Sequence, residues 1–205
     1  MIAPRRTVSI LFSLALALAL AGCATPTEVV SGWNTPNADQ PRFDSLFVIA
    51  LINDDEDRAA VEQALGEALR DRVRHVYLAH RQLQGAADGD DLRRRVEKAV
   101  DRSGADGVLA VSFLKAEVRA DYVPPRLNQG YGPSLGAGYD TVYSPGYYVE
   151  NRDYYLQSTL YQVGRDSPVW QAQSRVINPT SLSNAVRGFA GDLAKRLQDD
   201  GALSR

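Results

Sequence analysis

The stretch Ser45-Leu46-Phe47-Val48-Ile49-Ala50-Leu51-Ile52 decides the fold, because it is a nearly continuous apolar run of strand length. A run of this kind is typical of a central strand that is buried on both faces. The next residues are Asn53, Asp54 and Asp55, which supply a helix cap and acidic first-turn side chains. From about residue 55 to 72, apolar side chains recur at helical spacing. The sequence therefore predicts a buried strand followed directly by an amphipathic helix.

The same alternation of strands and helices continues outward from this unit. Residues 75–78 predict a short second strand, and Asp90 can cap a helix that ends at Gly104. Residues 108–114 form another apolar run, so we expect a further buried strand there. Charged side chains alternate along residues 115–121, which indicates that this strand projects past the core with one face in water.

The C-terminal part predicts a hairpin and a last helix. Residues 154–163 and 169–177 have strand patterns around a Gly/Pro turn, and the apolar stripe of the helix runs from Leu182 to Leu197. The predicted order over residues 44–201 is β-α-β-α-β, a long loop, then β-β-α. This order predicts an α+β fold with a single mixed sheet and helices packed mainly on one face. A more open three-layer α/β sandwich is the alternative.

The N-terminus has the pattern of a secretory signal. Arg5 and Arg6 precede an apolar run over residues 8–21. These 14 residues would span only about 21 Å as a helix, less than the roughly 30 Å hydrocarbon core of a bilayer. The run ends at Leu20-Ala21-Gly22-Cys23, which resembles the lipobox of bacterial lipoproteins. That resemblance implies a signal peptide of residues 1–22, cleavage before Cys23, and diacylglycerol on its sulfur with further acylation of its amine.

The residues after Cys23 bear on location and partners. Ala24 stands where Asp resembles an inner-membrane retention signal, so we expect the outer membrane, facing the periplasm. Residues 23–43 read as a lipidated cysteine and flexible tether, and among them Val29, Val30 and Trp33 are candidates to dock onto the domain. Cleavage would remove two of the 23 basic residues and none of the 25 acidic ones, so the mature chain is mildly acidic. A mildly acidic chain of this kind gives no indication of nucleic-acid binding. With a single cysteine, the chain cannot form an internal disulfide.

The inventory of catalytic side chains is thin. Cys23 is assigned to lipid, and His75 and His80 fall on opposite faces of a probable strand, so we expect no metal site and no cofactor. The carboxylates cluster at helix starts, where capping and the helix dipole explain them. A hydrolase acting on cell-wall glycan is the alternative, and it would need two carboxylates facing each other across a cleft.

A Tyr/Gly/Pro-rich loop over residues 122–148 is the unusual feature of the sequence. Tyrosine supplies large, rigid contact area with a polar tip. We therefore take its tyrosines as a candidate partner-binding surface: Tyr131, Tyr139, Tyr143, Tyr147 and Tyr148. In the structural alternative, the same residues cover an edge of the protein's own sheet.

Three stretches together resemble a group of uncharacterised proteobacterial outer-membrane lipoproteins with DUF4136-like domains: residues 20–23, residues 103–109 and the strand–turn–strand at 160–174. The resemblance implies a fold and a location but no catalytic residue. The leading hypothesis is a non-enzymatic, lipid-anchored protein whose periplasmic domain binds an envelope protein, glycan or lipid. A lipid-binding assembly factor is a third hypothesis, and it predicts an apolar pocket between helices and sheet.

Overall fold

A computed structural model describes residues 26–36, 39–83, 90–128, 142–144 and 146–204. These residues form eight strands, which are β1 (Thr27–Trp33), β2 (Ser45–Leu51), β3 (His75–Leu78), β4 (Gly107–Val123), β5 (Arg126–Asn128), β6 (Val142–Ser144), β7 (Tyr147–Gln162) and β8 (Pro168–Val176). They also form four helices, which are α1 (Asp55–Leu69), α2 (Ala79–Gln82), α3 (Asp90–Ser103) and α4 (Leu182–Asp199).

Six of the strands form one mixed sheet in the order β1-β8-β7-β4-β2-β3, and β5 pairs with β6. Strand β2 runs parallel to β3 and β4, whereas β4, β7, β8 and β1 are antiparallel to their neighbours. The prediction of an α+β fold with a single mixed sheet is confirmed. No helix in the described ranges is both long and apolar enough to cross a membrane.

Strand β2 is buried on both faces, as its apolar run predicts. Leu46, Val48 and Ala50 belong to the large core under α1 and α4, whereas Phe47 and Ile49 belong to a smaller cluster with α3. This division follows from the two-residue period of a strand. The longest helices, α1 and α4, thus cover one face of the sheet, and α3 adds a third layer over β2 and β4.

The large core provides most of the apolar burial. Its bulkiest fully enclosed side chains are Trp170 of β8, Phe43 before β2 and Phe189 of α4. Leu65 and Leu193 are completely buried between the helices and the sheet, and each contributes about 1.5–3 kcal/mol relative to an exposed side chain.

The N-cap predicted at residues 53–55 forms as expected, and a second N-cap begins the last helix. The Asp54 carboxylate accepts hydrogen bonds from the backbone N–H groups of Glu56 and Asp57, each at 2.9 Å. The Ser181 hydroxyl accepts one from Asn184 N–H at 3.2 Å and so caps α4. Each cap satisfies backbone donors that the helix leaves unpaired.

Residues 27–33, which the sequence places in the tether, form the edge strand β1. It pairs antiparallel with β8 from Thr27 opposite Val176 to Trp33 opposite Trp170. Side chains of β1 alternate between half-buried and exposed, and Val29 and Trp33 pack against the large core. Residues 27–33 of the predicted tether are therefore part of the sheet.

A single carboxylate at the end of α4 holds β1 in place. Asp200 Oδ2 accepts hydrogen bonds from Ser31 Oγ at 2.5 Å and from Trp170 Nε1 at 2.8 Å. The backbone carbonyl of Asp200 accepts a third, from Trp33 Nε1, at 3.1 Å. Arg196 donates to Ser31 Oγ at 2.6 Å and completes the cluster. Strand β1 is therefore bonded to β8 along its backbone and to α4 through its side chains.

The predicted loop over residues 122–148 contains more strand than expected. Strand β4 continues to Val123, β7 begins at Tyr147, and the short pair β5–β6 lies between them in sequence. Pro124 and Pro125 separate β4 from β5, because proline has no N–H to donate to a ladder. Residues 129–141 and 145 lie outside the described residues. The alternating charges of residues 115–121 therefore belong to one arm of a long β4–β7 hairpin.

Candidate functional site

The predicted site residues fall into two groups. Cys23, the motif of Leu20, Ala21 and Gly22, and the tyrosines Tyr131 and Tyr139 lie outside the described residues. Tyr143 is in the middle of β6. Tyr147 and Tyr148 open β7, and their side chains are 56% and 71% exposed. Tyr147 and Tyr148 therefore lie at the far end of the β4–β7 hairpin.

The hairpin projects well past the rest of the sheet. Tyr154 of β7 pairs with Val176, the last residue of β8, and Val176 pairs in turn with Thr27, the first residue of β1. Beyond that level β7 pairs only with β4, down to Tyr147 opposite Val123. Seven residues at about 3.4 Å each extend the hairpin by roughly 24 Å. A β-bulge in β4 between Phe113 and Lys115 lies near its base.

Ion pairs stiffen one face of this hairpin. Asp153 is fully buried and accepts hydrogen bonds from Arg175 Nη2 at 2.6 Å, Arg119 Nη2 at 2.9 Å and the backbone N–H of Asn178 at 3.2 Å. Burial alone would raise the pKa of Asp153, but these hydrogen bonds and the two positive charges outweigh it and lower the pKa. The carboxylate thus joins β4, β7 and β8 where the hairpin leaves the sheet.

A second polar cluster continues along the same face. Lys115 forms an ion pair with Glu117, and Tyr155 Oη donates to Glu117 at 3.0 Å. The hydrogen bond from Lys115, followed by that from Tyr155, lowers the pKa of Glu117. The ammonium of Lys115 also lies 4.7 Å from the ring centre of Tyr155, a cation–π distance. Glu117 and Asp153 are therefore both engaged by cations in the ionised form.

The opposite face of the hairpin is exposed and mixed: β4 contributes apolar side chains, whereas β7 places Arg152 opposite Val118 and Glu150 opposite Ala120. Phe113 and Tyr154 lie with ring centres 6.5 Å apart at the base, and Tyr122 and Tyr148 pair at 5.1 Å near the tip. Val118 lies between the two pairs, with 52% of its surface exposed. Monomeric soluble proteins rarely expose large apolar patches, so the apolar β4 side of this face is a candidate contact region.

An apolar cleft opens at the base of that face. Its volume is about 200 Å³, and it lies between α1, α4, the middle of β4 and β7, and the end of β8. Its lining consists of Ile52, Asp57, Val61, Phe113, Tyr154, Leu156, Val176, Leu182, Ala185, Val186 and Phe189. Phe113 and Leu182 are about half exposed at the cleft. We call the cleft together with this face of the hairpin the hairpin surface.

A buried carboxylate–histidine pair lies apart from the hairpin surface. Glu62 of α1 is completely buried and accepts hydrogen bonds from the backbone N–H groups of Ala50 at 3.0 Å and His80 at 2.6 Å. His80 Nδ1 lies 2.7 Å from the same carboxylate. The sequence indicates His80 as an ordinary histidine and gives no signal for Glu62. The pair connects α1, β2 and α2, and the described residues contain no cluster of metal-ligating side chains.

Comparisons with known proteins show a similarity of fold alone. No protein-family model and no curated protein matches the chain. The fold is similar to that of PelC from Paraburkholderia phytofirmans, solved as a dodecamer, with 13% identity over 84% of this chain and 98% of PelC and a TM-score of 0.49. It is also similar to that of the lipoprotein GNA1162 from Neisseria meningitidis, with 14% identity over 76% of this chain and 96% of that chain and a TM-score of 0.42. The DUF4136-like resemblance stays a prediction from sequence.

Proposed function

We propose that the chain is a non-enzymatic outer-membrane lipoprotein, anchored through acylated Cys23, whose periplasmic domain binds another envelope protein. The hairpin surface carries this proposal, because an apolar cleft continues into exposed apolar side chains of β4 on a projecting hairpin. The DUF4136-like relationship and the outer-membrane location belong to the same proposal and rest on residues 20–24 and the strand motifs of the sequence.

The size of the cleft favours a protein partner over a small ligand. Pockets for small molecules are typically about 300–1,000 Å³. At about 200 Å³, the cleft has room for one or two large apolar side chains. Interfaces are dominated by such anchors in desolvated pockets. An apolar segment that places an aromatic or aliphatic anchor beside Phe113 and Leu182 matches this surface.

The carboxylates give the hydrolase alternative little support. A glycan hydrolase needs a carboxyl group whose pKa is raised so that it can donate a proton. The pKa values of Glu117 and Asp153 are both lowered, by hydrogen bonds from neighbouring cations. Among the described residues that line the cleft, Asp57 is the one acidic side chain. We therefore favour binding over catalysis.

Acylation is tested by replacing the cysteine sulfur. In wild-type cells grown with labelled palmitate, the protein should carry label and fractionate with the outer membrane. The Cys23→Ser variant should carry no label and leave the membrane fraction. If the variant keeps its label, the lipoprotein assignment is wrong.

Partner binding is tested by photocrosslinking in intact cells. A crosslinking amino acid at Leu182, on the rim of the cleft, should capture the same partner as one at Phe113. The matched control is Arg187, which is exposed on α4 five residues further along and so points away from the cleft. Equal capture from Arg187, or no shared product from the two cleft positions, contradicts the proposal.

A further inference from the structure

The link between lipid anchor and folded domain is short. Thr27 is already paired with β8, and the backbone carbonyl of Pro26 accepts a hydrogen bond from Ile177 N–H at 3.0 Å. Four residue steps separate Cys23 from Thr27, and a fully extended chain covers at most about 14 Å over that distance. If Cys23 is acylated, as the proposed function requires, β1 must therefore begin within about 14 Å of the bilayer surface.

The hairpin reaches further than this link. Its base, at Tyr154, is level with Thr27 across the sheet, and its arm continues from there to Tyr147. That arm is roughly 24 Å long, about 10 Å more than the greatest reach of the link. Strand β1 runs in the same direction as β7, so the chain leaves β1 towards Cys23 on the side to which the hairpin projects.

The opposite orientation is excluded by length. If the hairpin pointed away from the membrane, the link would have to run back along β1 to reach the bilayer. Strand β1 is itself roughly 20 Å long, which is more than the link can span. A lipid-anchored domain must therefore hold the hairpin toward the bilayer or along its surface.

The side chains of the hairpin suit that position. The charged side chains of the hairpin lie on the part of it closer to the sheet, within residues 115–121 of β4 and residues 150–153 of β7. Beyond them, Tyr122, Tyr147 and Tyr148 are all more than half exposed, and Arg126 is the one charged residue in 122–128 and 142–148. Tyrosine is enriched at membrane–water interfaces, where its ring is apolar and its hydroxyl remains hydrated.

We propose that Tyr122, Tyr147 and Tyr148 rest in the lipid headgroup region of the leaflet that holds the acylated Cys23. This contact gives the domain a second attachment and a fixed orientation. The hairpin surface is then displayed beside the membrane, with the apolar cleft about 24 Å from the tyrosines. The inference rests on acylation of Cys23.

Quenching by brominated lipid tests the contact on the full acylated protein. The purified lipoprotein is reconstituted into phosphatidylethanolamine–phosphatidylglycerol vesicles that contain brominated phosphatidylcholine. Tyr148→Trp places a fluorophore at the hairpin tip, and Arg165→Trp places one in the exposed turn at the other end of β7. With the unsubstituted protein as baseline, the new tryptophan at position 148 should be quenched several-fold more strongly than the one at 165. Tyr147→Trp should repeat the result.

The possible failures are distinguishable. If the protein carries no acyl group and does not float with vesicles, the lipoprotein proposal fails and this inference falls with it. If the acylated protein floats but quenching is equal at positions 148 and 165, the inference alone is wrong. A third outcome is that brominated lipid does not quench the tryptophan at position 148, and that this tryptophan is protected from acrylamide only when many protein molecules share a vesicle. The end of the hairpin would then contact a second protein, and the inference would be overturned.

Discussion

Replacing Asp200 by alanine should detach β1 from the domain. The Asp200 carboxylate accepts hydrogen bonds from Ser31 and from the indole N–H of Trp170, whose side chain is fully buried. A carboxylate just beyond the C-terminus of a helix is unfavourable toward the helix dipole. Its position is therefore explained by the bonds that it makes to β1 and β8. We expect Asp200→Ala to leave the Trp170 N–H without a partner inside the protein.

The expected loss follows from these two hydrogen bonds. A buried donor left unsatisfied costs about 1–3 kcal/mol, and the lost bond to the Ser31 hydroxyl adds about 1 kcal/mol. Asp200→Ala should therefore lower the free energy of unfolding by about 2–4 kcal/mol. Urea denaturation measures this as a lower midpoint with an unchanged m-value. Hydrogen exchange should show faster exchange of the β1 amides, because that strand loses its side-chain attachment to α4.

The neighbouring Asp199 provides a matched control. It is half exposed and forms an i,i+4 ion pair with Lys195, which contributes about 0.3–0.5 kcal/mol. Asp199→Ala should therefore change the free energy of unfolding by less than about 0.5 kcal/mol and leave β1 exchange unchanged. If both variants lose the same stability, or if exchange of β1 is unaltered in Asp200→Ala, the attachment of β1 through Asp200 is refuted.

Three further perturbations test the packing around the sheet. Folding lowers the pKa of Asp153, so its ionised carboxylate stabilises the fold above its unfolded pKa of about 3.9, and this contribution is lost as the pH falls through the folded pKa. Asp153→Asn should therefore weaken the pH dependence of the free energy of unfolding on the acid side. Urea denaturation between about pH 2 and pH 7 measures this. A methyl group at Gly107 would overlap the side chains of two core residues, so Gly107→Ala should lower the free energy of unfolding by about 1–3 kcal/mol. Gly191 has open space around it within α4, so Gly191→Ala should raise the free energy of unfolding by about 0.5–1 kcal/mol. Thermal denaturation should therefore show shifts of opposite sign for the two variants. Glu62→Ala removes the acceptor of the buried Ala50 N–H and should lose about 2–4 kcal/mol in urea denaturation, and a loss below 1 kcal/mol would contradict its role as a connector.

Elements with strong local patterns could be predicted from the sequence. The run at residues 45–52 is apolar on both strand faces, so it could only be a central strand, and the spacing from Val61 to Leu69 fits one face of a helix. The turn at Gly164, which has a positive φ of 84°, sets the β7–β8 hairpin between two alternating segments. In each case the information lies within some twenty neighbouring residues.

Strand β1 could not be predicted in this way. Its residues Thr27–Trp33 are mostly small or polar, and the proline-rich surroundings favour a tether. The partners that order it are distant in sequence, since Ser31 and Asp200 are 169 residues apart. Glu62 was missed for the same reason, because a glutamate on an amphipathic helix reads as solvent-facing unless the position of His80 is known.

The sequence therefore indicated the candidate surface by its composition but not its geometry. The tyrosines of residues 122–148 marked an unusual surface, and the structure places Tyr122, Tyr147 and Tyr148 at the end of a hairpin. What that position means depends on β1. A flexible tether of 20 residues has a root-mean-square length of about 25 Å, which would allow a domain to turn freely above the membrane. With β1 paired, only four residue steps remain and reach at most about 14 Å, less than the length of the hairpin. If Cys23 is acylated as proposed, the pairing of β1 therefore requires the anchor to bring the tyrosine-rich hairpin to the bilayer.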